Sequence, residues 1–444
     1  MQPKYAIAAI AGLFALGVST APAGHAQQQA ALNATLDKDE QAQVLQILDS
    51  AHSEVKKNYY DPKLQGVDWD ARYQHYKEMV PKAHNLGEGF RVVAAFLSGL
   101  KDSHVFFMPP ERANHFDSGY RVGLVGNDAY ITQIRPKSDA ESKLHIGDLI
   151  VKQDGYNVNR DDFMDLRYYY GTLAPRQTVQ LIVRAPGGQD RTVAVTSRIK
   201  VESSKPDTAE TQDYWNKVRE MEGENHTTRS RMVERGDVAI WKLQRFDPDD
   251  SHVDRNIGIA RKHKALILDL RGNPGGAIET LKEIVGSLFE KDIKIADRVA
   301  RKENKPMLAK HQGSPFTGKL IVLVDAGSAS CAELLARTVQ LEHRATVVGD
   351  RTAGAVMEAR DYVEEQGAGF VFVYAFSITE ANLIMTDGKS LEKTGVTPDE
   401  LLLPTGADLA AGRDPVLAHA AELAGVKIDA AEAGKLFPFE WPPQ

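Results

Sequence analysis

The chain has 444 residues, 42% hydrophobic and 26% charged, a composition that suits a globular protein of two or three domains with a real core. A formal net charge of -7, with no lysine-rich or arginine-rich run, argues against a nucleic-acid partner, because phosphate binding calls for a basic surface. The single cysteine, Cys331, excludes an intramolecular disulfide, so the core must hold the fold.

The first 26 residues place one basic residue, Lys4, before an apolar run from Tyr5 to Val18 and then small residues ending at Ala26. That order predicts a secretory signal peptide cleaved before Gln27, or alternatively after Ala23, and a periplasmic destination. The run is short for a stable membrane span. From 27 to 117 the apolar residues of "DEQAQVLQILDSAHSEVKKNYY" and "EGFRVVAAFLSGL" recur every three or four positions, which predicts a helical lobe. Residues 118–200 switch to short alternating stretches broken by Gly, Pro and Asp, which predicts a compact β-rich insert. A polar, charged segment, 201–235, reads as a linker.

From 236 to 424 apolar strands ("VAIWKL", "ALILDLRG", "KLIVLVDAG", "ATVVGD") alternate with helical segments, the pattern of an α/β layered core with buried strands. Residues 425–444 read as a C-terminal tail. Two strand-to-helix junctions in this core carry chemistry. In "VDAGSASCAELLARTVQ" a buried strand turns through small residues into a helix and presents Ser330 where free N–H groups and the helix dipole favour developing negative charge. Ser330 and Glu333 equally fit a capping box. In "ALILDLRGNPGG" a glycine-rich loop can point a peptide N–H into a cleft. The two together suggest a shared oxyanion hole. Cys331 reads more simply as a small buried residue starting a helix than as a nucleophile.

"LRGNPGG", followed some fifty positions on by "GSASCAE", is similar to the C-terminal processing, or tail-specific, serine peptidases. "NYYDPKLQGVDWDARYQHY" with "LSGLKDSHVFF" resembles that family's N-terminal lobe, and "LEKTGVTPD" its late catalytic segment. The resemblance implies a crotonase-like core with an inserted PDZ domain. It implies Ser330 as nucleophile, Ser328 as a structural neighbour, and an oxyanion hole from the N–H of Cys331 with that of Gly275 or Gly276. Many members carry a catalytic lysine where this chain has Ala355, and no lysine occurs between Lys319 and Lys389. The position of His104 in "KDSHVFF" matches the tricorn-like branch, which implies a Ser-His-Ser-Glu arrangement of Ser330, His104, Ser103 and Glu392. Imidazole titrates near neutrality and suits the task of taking the serine proton and returning it to the leaving amine.

Glu358 and Asp399 are reserve candidates for the carboxylate that orients the histidine. In the insert, "YRVGLVG" resembles a PDZ carboxylate-binding loop, which implies that Val122, Gly123 and Leu124 receive a peptide; a rigid spacer is the other reading. No HExxH, CxxC pair or EF-hand loop suggests a metal, and no cofactor is expected. The expected function is a secreted serine endopeptidase acting on polypeptides. A non-catalytic binding protein on the same fold is the alternative, and an acyl-CoA enzyme of the crotonase type suits the core but not the export signal.

Overall fold

The computed structural model describes residues 36–110, 114–201, 230–247, 252–366 and 372–441. The expected signal peptide and most of the expected linker lie outside the described residues. The chain forms two compact units. One is drawn from Met1–Glu111, Asp165–Pro175 and Ala359–Glu380, and the other from Arg112–Met164, Arg176–Glu358 and Ala381–Gln444.

In the first unit, helix α1 (Lys38–Asn58) starts at a capping box in which Asp37 accepts the N–H groups of Asp39 and Glu40 while Glu40 accepts that of Asp37. Val44, Ile47, Leu48, Ala51 and Val55 form its buried stripe, the spacing that one helix face demands. Helices α2 (Trp69–Lys77) and α3 (Leu86–Leu97), capped by Asp68 and Asn85, pack Trp69 and Phe96 ring on ring at 4.1 Å. The lobe is not purely helical, as the sequence pattern had suggested. Strand β1 (Phe106–Met108) pairs antiparallel with residues 375–377, and Tyr374, Phe376 and Ile378 enter the same core as the helices. A segment from late in the chain therefore completes a lobe that local periodicity ends near 117.

In the second unit, β2 (Asn114–Asp117) pairs with β9 (Arg198–Val201) at the base of the insert. Between them lie β3 (Tyr120–Val125), β4 (Asp128–Ile134), β5 (Leu149–Gln153), β6 (Tyr156–Asn157), β7 (Thr178–Arg184) and β8 (Asp190–Thr196), in the sheet order β3-β4-β5-β7-β8 with β6 on β5. Helix α4 (Arg160–Tyr168) starts here and ends in a stretch assigned to the first unit.

The remaining strands in chain order are β10 (Arg231–Arg235), β11 (Val238–Lys242), β12 (Ala265–Asp269), β13 (Ile293–Ala300), β14 (Asn304–Ala309), β15 (Lys319–Val324), β16 (Ala345–Gly349), β17 (Met357–Gln366), β18 (Phe372–Met385) and β19 (Glu400–Leu401). The core sheet has the order β10-β11-β12-β15-β16-β19, parallel from β11 onward. Alternate residues of these strands feed two apolar layers. Trp241, Leu266, Leu268, Val322 and Val324 pack with helices α5 (His252–Ala260), α6 (Ile278–Gly286) and α7 (Cys331–Leu341), while Ile240, Ile267, Ile321 and Leu323 pack with Val416, Leu417 and Ala420. Burial on both faces is why the strands read as near-continuous apolar runs.

Two boundaries need correction. Residues 231–235, expected in the linker, form an antiparallel edge strand turned into β11 at Gly236 (φ 54°). The expected tail is part of the core, since Ile428 and Ala433 are buried in the second apolar layer. Among the described residues no helix is long and apolar enough to cross a membrane.

Candidate active site

Ser330 follows the buried strand β15 and opens α7 with φ 54° and ψ -119°. An ordinary N-cap residue keeps an extended backbone. A non-glycine residue held at this positive φ costs about 1–3 kcal/mol and persists only where its surroundings fix it. The surroundings are visible: the Ser330 N–H donates to Ala355 O at 2.9 Å and to Glu333 Oε2 at 3.1 Å. The capping pair with Glu333 is thus formed, but on a strained backbone that capping alone does not require. Ser330 is half-buried. Ser328 is fully buried, with its hydroxyl on Leu270 O at 2.8 Å.

The glycine-rich loop lies against this turn. A Cβ on Gly275 would sit 2.6 Å from Ser330 Cβ and 3.1 Å from Cys331 N, and one on Gly276 would sit 2.2 Å from Phe246 O. Both positions also have positive φ, 101° and 136°, so glycine is required twice over. The two oxyanion candidates differ. Gly275 N donates to Asn273 Oδ1 at 2.8 Å, whereas the N–H groups of Gly276 and Cys331 lie beside the Cys331 sulfur, a weak acceptor. Asn273, fully buried, also bonds Leu243 O through Nδ2 (2.9 Å) and receives Ala329 N at its carbonyl (2.9 Å), tying the loop to the residue before Ser330. At the loop's start Arg271 forks onto Asp269 (3.0 and 2.8 Å) and Asp414 (2.9 and 2.7 Å). Burial alone would raise the Asp269 carboxyl, but Arg271 and Lys242 hold it well below the usual carboxylate range. Sequence reasoning did not single out Asn273, Asp269 or Arg271, although all belong to "LDLRGNPGG".

Cys331 is 1% exposed, with its Sγ on Gly276 O at 3.2 Å, and burial pushes the thiol up to about 12. It stays protonated at neutral pH, as expected of a packed residue.

Ser103 and His104 belong to the first unit. His104 is half-buried; its Nδ1 lies 2.8 Å from Ser103 Oγ, and its backbone N–H donates to Asp102 Oδ1 at 2.9 Å. Asp102 is buried and also accepts Thr379 Oγ1 (2.7 Å) and Tyr59 OH (3.0 Å). Asp102, which no motif in the sequence singles out, therefore fixes the histidine loop, and its adjacency in "KDSH" was the available signal. If Nδ1–H donates to Ser103 Oγ, the lone pair lies on Nε2, the tautomer a base needs.

Glu392 lies in the second unit, its side chain 13% exposed, accepting Val356 N at 3.0 Å. The reserve carboxylates are committed elsewhere: Glu358 receives Arg298 Nε on both oxygens (2.8 and 2.9 Å), and Asp399 takes Val347 N (2.8 Å) and Gln340 Nε2 (3.0 Å). Val122, Gly123 and Leu124 sit on β3, which ends the insert sheet. Among the described residues no group of three or more His, Cys, Asp or Glu side chains is placed to hold a metal.

Residues 237–402 match the model of peptidase family S41, and residues 40–97 match the tricorn protease C1 domain. The chain carries a peptidase family S41 domain. Both glycine-loop and serine junctions fall inside that domain, and α1 through α3 fall in or beside the C1 match. The chain is 26% identical over 413 residues to a Streptomyces coelicolor protein named as a tricorn protease homolog 2, a match covering 87% of this chain and 32% of that protein. It is 31% identical over 136 residues to a carboxyl-terminal-processing protease of Synechocystis, covering 31% of this chain and 30% of that one. The chain thus spans about a third of the length of these two relatives. It shares its mixed α/β fold with mature CPAF, at 17% identity and a TM-score of 0.63 over 84% of this chain and 94% of that one.

Proposed function

We propose that this S41 chain is an exported, periplasmic serine endopeptidase that cleaves polypeptides through an acyl-enzyme, with a crotonase-like core and a PDZ-like insert. Ser330 Oγ attacks the scissile carbonyl and His104 Nε2 takes its proton. The oxyanion of the tetrahedral intermediate receives the N–H groups of Cys331 and Gly276, worth about 3 kcal/mol per donor in comparable sites. His104 returns the proton to the leaving amine, and water then repeats the sequence on the acyl-enzyme. Ser103 holds the imidazole tautomer, and Glu392 supplies the negative charge that favours imidazolium.

The observation that carries the reading is the backbone of Ser330, strained at a strand-to-helix junction against which the glycine-rich loop packs. In the insert, β3 offers its free edge to a peptide added as a further strand. Gly126 N, at the end of β3, is engaged by Asp350 Oδ2 at 2.8 Å, so a bound terminal carboxylate would rely on residues 122–124.

The test is reaction with a fluorophosphonate followed by peptide mapping. The reading expects one modified residue, Ser330, and loss of both labelling and peptide hydrolysis in Ser330→Ala. A folded chain that neither labels nor cleaves would be a binding protein instead.

A further inference from the structure

Just beyond the core strand β16, three consecutive backbone N–H groups are gripped by two carboxylates. Gly354 N donates to Glu333 Oε1 at 2.8 Å, Ala355 N to Glu333 Oε2 at 2.9 Å, and Val356 N to Glu392 Oε2 at 3.0 Å. Glu333 Oε1 also receives Thr352 Oγ1 at 2.5 Å, and that hydroxyl in turn receives Val396 N at 2.6 Å. Glu333 is 0% exposed. A capping box asks one bond of its carboxylate, to the N-cap N–H. Here the same side chain makes that bond to Ser330 and three more to a separate segment, whose Ala355 carbonyl accepts the Ser330 N–H from the other side. The run is further fastened to the Glu392 segment by Lys393 N on Gly354 O at 2.7 Å.

We propose that Glu333 is a positioning residue for catalysis: its ionised carboxylate locks the strained Ser330 backbone to the 352–356 run and, through that run, sets the nucleophile against the segment that carries Glu392. The proposal rests on Ser330 being the nucleophile. Every partner of Glu333 donates, so both oxygens must accept. An amide in its place would aim an N–H at an N–H, and a protonated acid could donate only to the Thr352 hydroxyl. Burial pushes the Glu333 carboxyl up to about 7, with the bonds from Thr352, Ala355, Gly354 and Ser330 pulling it down. Along the chain, the titratable and charged residues next to Glu333 and its partners are Asp325 and Cys331 beside the Ser330 turn, Asp350 and Arg351 before the run, and Glu392 and Lys393 beyond it; the helix and strand packed on α7 add Glu279, Lys282, Glu283, Lys294, Asp297 and Arg298.

The experiment compares Glu333→Gln, Thr352→Val and Thr352→Ser with the native chain on a small activated ester. Glu333→Gln should lower kcat about a hundredfold with KM within about threefold, the size of effect that a misplaced nucleophile produces. The acid limb of log kcat/KM should carry two protons in the native chain and one in Glu333→Gln. Because Glu333→Gln can fail to fold, the threonine pair gives a second reading. Thr352→Val removes a bond that favours the charged form, so the acid limb should move to higher pH, and Thr352→Ser should restore it. Native kcat in Glu333→Gln, or an acid limb unmoved in Thr352→Val, would overturn the proposal. If Ser330→Ala were active, the nucleophile assignment would fail first, which separates the two.

Discussion

The Ser330 turn and the His104 loop are built in opposite ways. Around Ser330 the backbone does the positioning: a buried parallel strand, a left-handed residue and a glycine loop in van der Waals contact leave the side chain one direction. Around His104 a side chain does it. Buried Asp102 holds the loop through His104 N, while Thr379 and Tyr59 saturate its oxygens. The first device tolerates side-chain changes that keep the backbone, whereas the second depends on one carboxylate.

Ser330→Ala should break the first region chemically and leave it standing. Peptide turnover should fall at least about a thousandfold, as for nucleophile removal in comparable enzymes. Stability should change by about 1 kcal/mol, the cost of a helix cap, measured by urea unfolding.

Asp102→Ala should break the second region structurally. It strands the hydroxyls of Tyr59 and Thr379 in the core, at about 1–3 kcal/mol for each unsatisfied group, and frees the histidine loop. Burial first, and then the Asp102 charge, hold the Tyr59 phenol well above its usual range, so it is a donor at every working pH. Asp102→Asn, which keeps one acceptor oxygen, should lose less stability than Asp102→Ala. Equal melting temperatures for the two would deny Asp102 this role.

Glu333 links stability to pH with a definite sign. Burial raises its folded value to about 7, above the ordinary glutamate value of 4.5, so its contribution is fully present below about 4.5 and is lost as pH rises through 7. The stability gap between the native chain and Glu333→Gln should therefore narrow from pH 5 to pH 8, read from melting temperatures across that range. A gap that widens would reverse the assignment.

The smallest effect is expected at Cys331→Ala. The proposed donor there is the backbone N–H, so activity should stay within about threefold, while stability falls by roughly 1 kcal/mol for the lost buried sulfur. A folded but inactive variant would bring back a thiol mechanism.

The same contrast explains what the sequence made legible. Both strand-to-helix junctions stood out because doubly buried strands are apolar throughout and small residues mark the turns. The pairing of 375–377 with β1 was hidden, since nothing local in "FVYAFSI" says which distant strand it joins. Strand β10 was hidden because "RMVER" has only Met232 and Val233 as apolar residues. Asp102, Asn273 and Glu333 looked like ordinary polar residues. Their importance lies in partners brought from 19 to 277 positions away, which no spacing rule encodes. Glu333 was visible as a capping residue, but its grip on 352–355 was not.

The proposed mechanism rests on the His104 imidazole acting as base for Ser330. The most direct measurement is the rate of fluorophosphonate labelling at Ser330 in the native chain and in His104→Ala, across pH 5 to 9. The account predicts a native rate that climbs through the histidine range, about 6 to 7.5, and a rate in His104→Ala lower by at least about a hundredfold at every pH. A His104→Ala chain that labels Ser330 at the native rate would contradict it.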